Sequence, residues 1–97
     1  MDLQKIVETV LRDYPNTRAN NDLVWVEVSQ ILAELYQVKT VEGFLLATLE
    51  KKIPSSHTLA ATISVVRKAH PELNPTDEQM ERKKEVKQQF IEQYRNA

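Results

Sequence analysis

The chain carries one glycine, Gly43, in 97 residues. Tight antiparallel hairpins turn through positive-φ residues, where glycine is the default, so an all-β fold lacks the turns it needs. What remains is a series of segments with apolar residues at helical spacing, each bounded by a cap or a proline.

The first segment places Leu3, Ile6, Val7, Val10, Leu11 and Tyr14 on one stripe, with Asp2 as cap and Pro15 as stop, and predicts a helix over about 3–13. A polar turn, NTRANN, follows, with Asn21 or Asp22 as the next cap. The run LVWVEV alternates like a strand, but a strand needs a partner and no other segment resembles one. At helical spacing Val24, Val28, Ile31, Leu32, Leu35 and Tyr36 form a stripe, which favours a helix over about 22–36.

Thr40 caps a third helix, about 41–51, with Val41, Phe44, Leu45 and Leu49 expected inward. Gly43 inside it costs about 1 kcal/mol relative to alanine, and is either a site of close helix crossing or incidental. Ile53-Pro54 is a break, and Ser55 and Ser56 can start a fourth helix, about 56–69, with Leu59, Thr62 or Ile63, and Val66 inward. His70-Pro71 stops it, because the residue before proline avoids the helical region. PELNP is a rigid connector. Thr76 and Gln79 form a capping box for a last helix reaching about Arg95. Its apolar residues, Met80, Val86, Phe90, Ile91 and Tyr94, favour the second half, so the first half is expected to protrude into solvent. The expected fold class is therefore all-α: a compact bundle of about five helices, one domain over 1–97, with a core over 1–73 and a longer C-terminal helix over 76–95. Its third and fourth helices make a helix-turn-helix-like pair.

The composition narrows the chemistry. Hydrophobic residues make up 41% and charged residues 28%, as in an ordinary soluble domain. The absence of cysteine removes disulfides and thiolate chemistry. No apolar run nears the roughly 20 residues of a membrane span, and MDLQKIVETV lacks the pattern of a secretion signal, so a cytoplasmic location is expected. A net charge of −1 disfavours a strong non-specific nucleic-acid binder, which works by displacing phosphate counterions.

No motif carries catalysis. His57 and His70 lie far apart without further ligands at metal spacing and read as solvent-facing residues at helix ends. The carboxylates are scattered, and one glycine cannot build a phosphate-binding loop. No enzyme activity, cofactor or metal is expected. Trp25 and Phe44 read as core residues rather than base stackers. Arg82, Lys83, Lys84 and Lys87 alternate with Glu78, Glu81 and Glu85, which suits a salt-bridged solvated helix. A nucleic-acid surface would draw on Lys51, Lys52, Ser55, Ser56, His57, Ser64, Arg67 and Lys68, which flank or face outward from the fourth helix.

Tyr14, Pro15, Thr17, Arg18, Asp22 and Leu23 match a YP-x-T-R-x-x-D-x-L pattern, and PSSHTLAATISVVRKAHPELNPT matches a serine-started helix followed by PEL-x-P. In these stretches, within residues 10–76, the chain resembles small helix-turn-helix-like proteins encoded by phages and prophages of Gram-positive bacteria. Most such proteins have no assigned activity; their helix-turn-helix-like character implies a DNA-associated accessory or regulatory role with duplex DNA as partner. Where those proteins carry arginines in the second helix, this chain has Ala61, Ile63, Ser64 and Val65. Small and apolar residues there suit protein packing as well as DNA, since phosphate and base contacts draw on Arg, Lys, Asn and Gln. The alternative is a module that binds a host or phage protein through the fourth or C-terminal helix. A third reading is a homodimer formed through the C-terminal helix, in place of a monomer.

Overall fold

A computed structural model describes residues 2–96. These form six α-helices and two single-turn 3-10 helices, with no strand among them: α1 (Leu3–Asp13), α2 (Asn21–Leu35), α3 (Val41–Leu49), α4 (Ser56–Ala69), α5 (Asp77–Glu81) and α6 (Lys83–Arg95). The 3-10 turns, Pro15–Thr17 and Pro71–Leu73, each begin on the proline that stops the helix before it.

Local chemistry sets most of these ends. The Asp2 carboxylate accepts from the Gln4 N–H at 3.0 Å and starts α1. Ser55, not Ser56, caps α4, its hydroxyl accepting from the Thr58 N–H at 3.1 Å. The cap residue of α2 is Asn20, one position before the expected pair, and its side chain makes no capping bond. Its amide instead donates to the Lys83 carbonyl at 3.2 Å. Helices α2 and α3 both end in Schellman turns. Val38 N–H bonds Ala33 O and Lys52 N–H bonds Ala47 O, closing loops through Gln37 (φ +55°) and Lys51 (φ +61°). The second turn stops α3 at Leu49, short of the expected 51.

The core lies where α1, α2 and α4 meet. Val7, Val10 and Leu11 of α1, Val24, Val28 and Leu32 of α2, and Leu59, Ile63 and Val66 of α4 are buried together, sealed by Ile53, Ala47 and Leu73. Of the expected α2 stripe, Leu35 and Tyr36 fall outside the core, at 51% and 42% exposure. Trp25 fastens α2 to the α3–α4 turn: its indole N–H donates to the Pro54 carbonyl at 2.9 Å, and its ring meets Phe44 edge-on at 6.3 Å.

Helix α3 departs most from expectation. Only Ala47 is buried; Phe44 is half-buried, while Val41, Leu45, Leu46 and Leu49 face solvent. The protein is only 20 Å thick in its shortest direction, about two helix diameters. One side of α3 has core to cover it, and the small Ala47 faces that side. Gly43 serves the incoming chain rather than a helix crossing: a Cβ there would lie 3.1 Å from Thr40 Oγ1 and 3.5 Å from Val38 Cγ1.

The expected C-terminal helix is divided at Arg82 (φ −89°, ψ 7°). Polar anchors sit on both sides of the break, Gln79 Nε2 donating to Pro15 O at 3.0 Å and Asn20 to Lys83 O. The Thr76–Gln79 capping box is formed. No residue of α5 or α6 is buried; Val86 and Phe90 are half-buried. Polar contacts tie α6 to α2: Lys87 to Asp22 at 2.6 Å, and the Gln30 amide to the Tyr94 hydroxyl.

Candidate functional site

The residues flagged as a nucleic-acid surface fall into two groups separated by the length of α4. Lys51, Lys52 and Ser55 line one cleft at its start. Ser64, Arg67 and Lys68 line another, with Asn21, Ala60, Pro71 and Asn74. From Ser55 to Arg67 the helix rises about 18 Å. Ser56 and His57 are exposed on the first turn between them, and Ala61, Ser64, Val65 and Lys68 continue an open face along α4. That face is solvent-exposed, and neither α5 nor α6 covers it.

Arg67 does not point out from this face. It is half-buried, and its guanidinium Nη2 donates to the Arg18 carbonyl while its Nε is buried without a partner. Burial lowers its pKa from the ordinary arginine value. Arg18 in turn donates from Nε to the Leu11 carbonyl at 2.6 Å. The two arginines thus connect α4 through the turn to the end of α1, a structural task that competes with phosphate binding. His70 is also engaged: Nε2 lies 2.6 Å from Glu8 and Nδ1 3.3 Å from Glu72, rather than in open solvent. Glu72, also paired with Arg12 at 3.5 Å, sits below the usual glutamate pKa, chiefly through its own backbone N–H and also through His70 and Arg12. Among the described residues no three His, Cys, Asp or Glu side chains converge on a point where a metal could be held.

The cleft at the start of α4 has a volume of about 600 Å³, within the range of ligand sites. Leu32 and Ile53 belong to the buried core, and Leu3 and Ile6 pack against it. Thr48, Tyr36, Thr58 and the two lysines bring polar groups around this apolar surface. Lys52 is half-exposed, 3.9 Å from Glu50 and 5.9 Å from the Tyr36 ring centroid. Lys51 has no ion-pair partner among the described residues.

Beside the cleft runs the outer face of α3. Val41 is 71% exposed, Leu45 and Leu46 each 56%, and Leu49 80%. Positions 41, 45 and 49 repeat every four residues and align on one side of the helix, with Leu46 adjoining. Singly exposed leucines are ordinary, but a contiguous apolar strip on one helix marks an interaction surface. Inward-facing α3 was expected because the strip has helical spacing, and spacing does not say which side the core is on. The available signal was crowding: Val41, Phe44, Leu45, Leu46, Ala47 and Leu49 make six of the helix's nine residues apolar, more than one buried side accommodates.

Among the described residues no helix is long and apolar enough to cross a membrane. No protein-family model, curated protein or solved structure matches the chain.

Proposed function

We propose that this protein is a non-enzymatic binding module that docks another protein through the outer face of α3. The observation that carries this reading is the strip Val41, Leu45, Leu46 and Leu49, exposed on a helix whose other side is packed on the core. Water-exposed apolar surface gains about 25 cal/mol per Å² when a partner covers it, and a net charge of −1 adds little repulsion towards other proteins. The inner side of α3 is tied to the fold by the buried Ala47 and by the edge-on contact of Phe44 with Trp25. A host or phage protein is the partner class favoured by Ala61, Ile63, Ser64 and Val65, which stand where the resembling DNA-associated proteins carry arginines.

The test is quantitative capture from a bacterial lysate by the full chain and by Leu45→Asp and Leu49→Asp, with circular dichroism as the folding control. Proteins retained by the wild type and released by both variants support the reading. Identical capture profiles contradict it.

A second reading has its own observation. In a helix-turn-helix arrangement of α3 and α4, the exposed residues His57, Ala61, Ser64 and Lys68 would face a DNA groove, with Lys51, Lys52, Ser55 and Ser56 near its phosphates. Fluorescence anisotropy with duplex DNA at rising salt decides it, because phosphate neutralisation gives a steep salt slope. With Arg67 turned inward, few cations remain for that role, and the protein-docking reading is preferred.

A further inference from the structure

The cleft at the start of α4 adjoins the α3 strip through Thr48, Lys51 and Lys52, which close the last turn of α3 and also line the cleft. Resting on the docking reading above, we infer that this cleft receives an acidic segment of the partner protein. A large apolar side chain of that segment enters between α1 and the α3–α4 turn, and its Asp or Glu carboxylates meet Lys51 and Lys52.

Charge complementarity selects this occupant. Among the described residues the cleft's lining contains two lysines and no carboxylate. Among the described residues the acid paired with a cleft lysine is Glu50, whose exposed pair with Lys52 at 3.9 Å is weak and exchangeable. Lys51 has its position set by the Schellman turn at φ +61°, a conformation costly for a non-glycine residue that also fixes where its side chain departs. The apolar part of the lining, Leu3, Ile6, Leu32 and Ile53, calls for a hydrophobic anchor. A phosphate backbone alone leaves that surface wet. An anchor in a pocket ringed by polar contacts is the usual form of an interface hot spot. Nor does the Ser55 hydroxyl need a ligand to satisfy it, since it already accepts from Thr58 N–H and donates to Thr58 Oγ1 at 3.0 Å. Cations and apolar depth therefore define the specificity.

The experiment is selection of a random peptide library displayed on phage against the folded full chain, followed by anisotropy titration of the enriched synthetic peptide. The double variant K51Q/K52Q is the key comparison. Glutamine is tolerated at position 51 because Gln37 already holds the equivalent place in the α2 Schellman turn. The expected result is a consensus of an aromatic or aliphatic residue flanked by Asp or Glu, with affinity falling about tenfold or more in K51Q/K52Q and unchanged in Ser64→Arg. A consensus without acids, no consensus, or equal binding to K51Q/K52Q overturns the inference. Peptides lost in Leu45→Asp but retained by K51Q/K52Q overturn it while leaving α3 docking intact. Duplex DNA that needs the same two lysines and displaces the peptide assigns the cations to phosphate and also overturns it.

Discussion

Leu59 and Leu49 are the same side chain in opposite surroundings, and replacing each by alanine measures how α3 and α4 face the core. Leu59 is fully buried among the residues joining α1, α2 and α4, whereas Leu49 is 80% exposed. Core leucine-to-alanine changes cost about 2.7–5.0 kcal/mol, the transfer free energy plus the cavity left behind. The packing around Leu59 places it in the middle of that range, about 3–4 kcal/mol. For Leu49 a fifth of the surface is covered, so of the roughly 1.5–3 kcal/mol for full burial about 0.3–0.6 is at stake. Alanine's better helix propensity returns part of that. The expected loss at Leu49 is therefore at most about 0.5 kcal/mol. Urea unfolding followed by Trp25 fluorescence and circular dichroism resolves the difference. With a slope of about 1–1.5 kcal/mol per molar, the midpoint falls by about 2–4 M for Leu59→Ala and by less than about 0.5 M for Leu49→Ala. A Leu49→Ala loss above about 1.5 kcal/mol would refute the reasoning, because the α3 strip would then be buried in solution. Concentration dependence of that loss would identify a second copy as the cover.

Three further outcomes follow from the geometry. Gln37→Gly relieves a left-handed residue of about 1–2 kcal/mol of strain, less glycine's entropy cost of about 0.5–1 kcal/mol, so stability in urea should rise by up to about 1.5 kcal/mol. Arg67→Ala removes the guanidinium bond to the Arg18 carbonyl and should cost about 2 kcal/mol in the same assay; a neutral result would free Arg67 for the outer face. Burial alone would raise the Asp22 carboxyl, but Lys87 and the Leu23 N–H outweigh it and leave its pKa below the ordinary value. A lowered folded pKa means the contribution is complete above the unfolded pKa of about 3.9 and is lost as pH falls through the folded one. Protection factors of α6 amides, corrected for the intrinsic exchange rate, should fall over that acidic window in the wild type, and those of an Asp22→Asn variant should be lower already at neutral pH.

Helix positions were legible because the chain states them locally. Asp2, Pro15, Ser55 and His70-Pro71 act on their own neighbours, so α1 and α4 begin and end where those residues place them. The inward sets Val7, Val10 and Leu11, and Leu59, Ile63 and Val66, were legible because each helix has one apolar side. Orientation was hidden in α3, which is apolar nearly all round, and there the thickness of the protein decides which side stays wet. The break at Arg82 has no glycine or proline to announce it. It coincides with bonds from Gln79 and Asn20, which are tertiary. Arg67 was hidden for a similar reason: an arginine in a last helical turn reads as an outward-facing cation until the Arg18 carbonyl comes within its reach. Lys51, Lys52 and Ser55 are close in sequence and line one cleft, whereas the apolar depth beneath them comes from Leu3, Ile6 and Leu32, distant in sequence.

The most direct measurement of the central claim is the amount of protein captured from lysate by the wild type, by Leu45→Asp and by Ser64→Arg at equal folded concentration. If α3 is the docking surface, Leu45→Asp loses the captured protein by about tenfold or more, while Ser64→Arg on the α4 face keeps it. Retention by Leu45→Asp together with loss in Ser64→Arg would contradict the account and move the binding surface to α4.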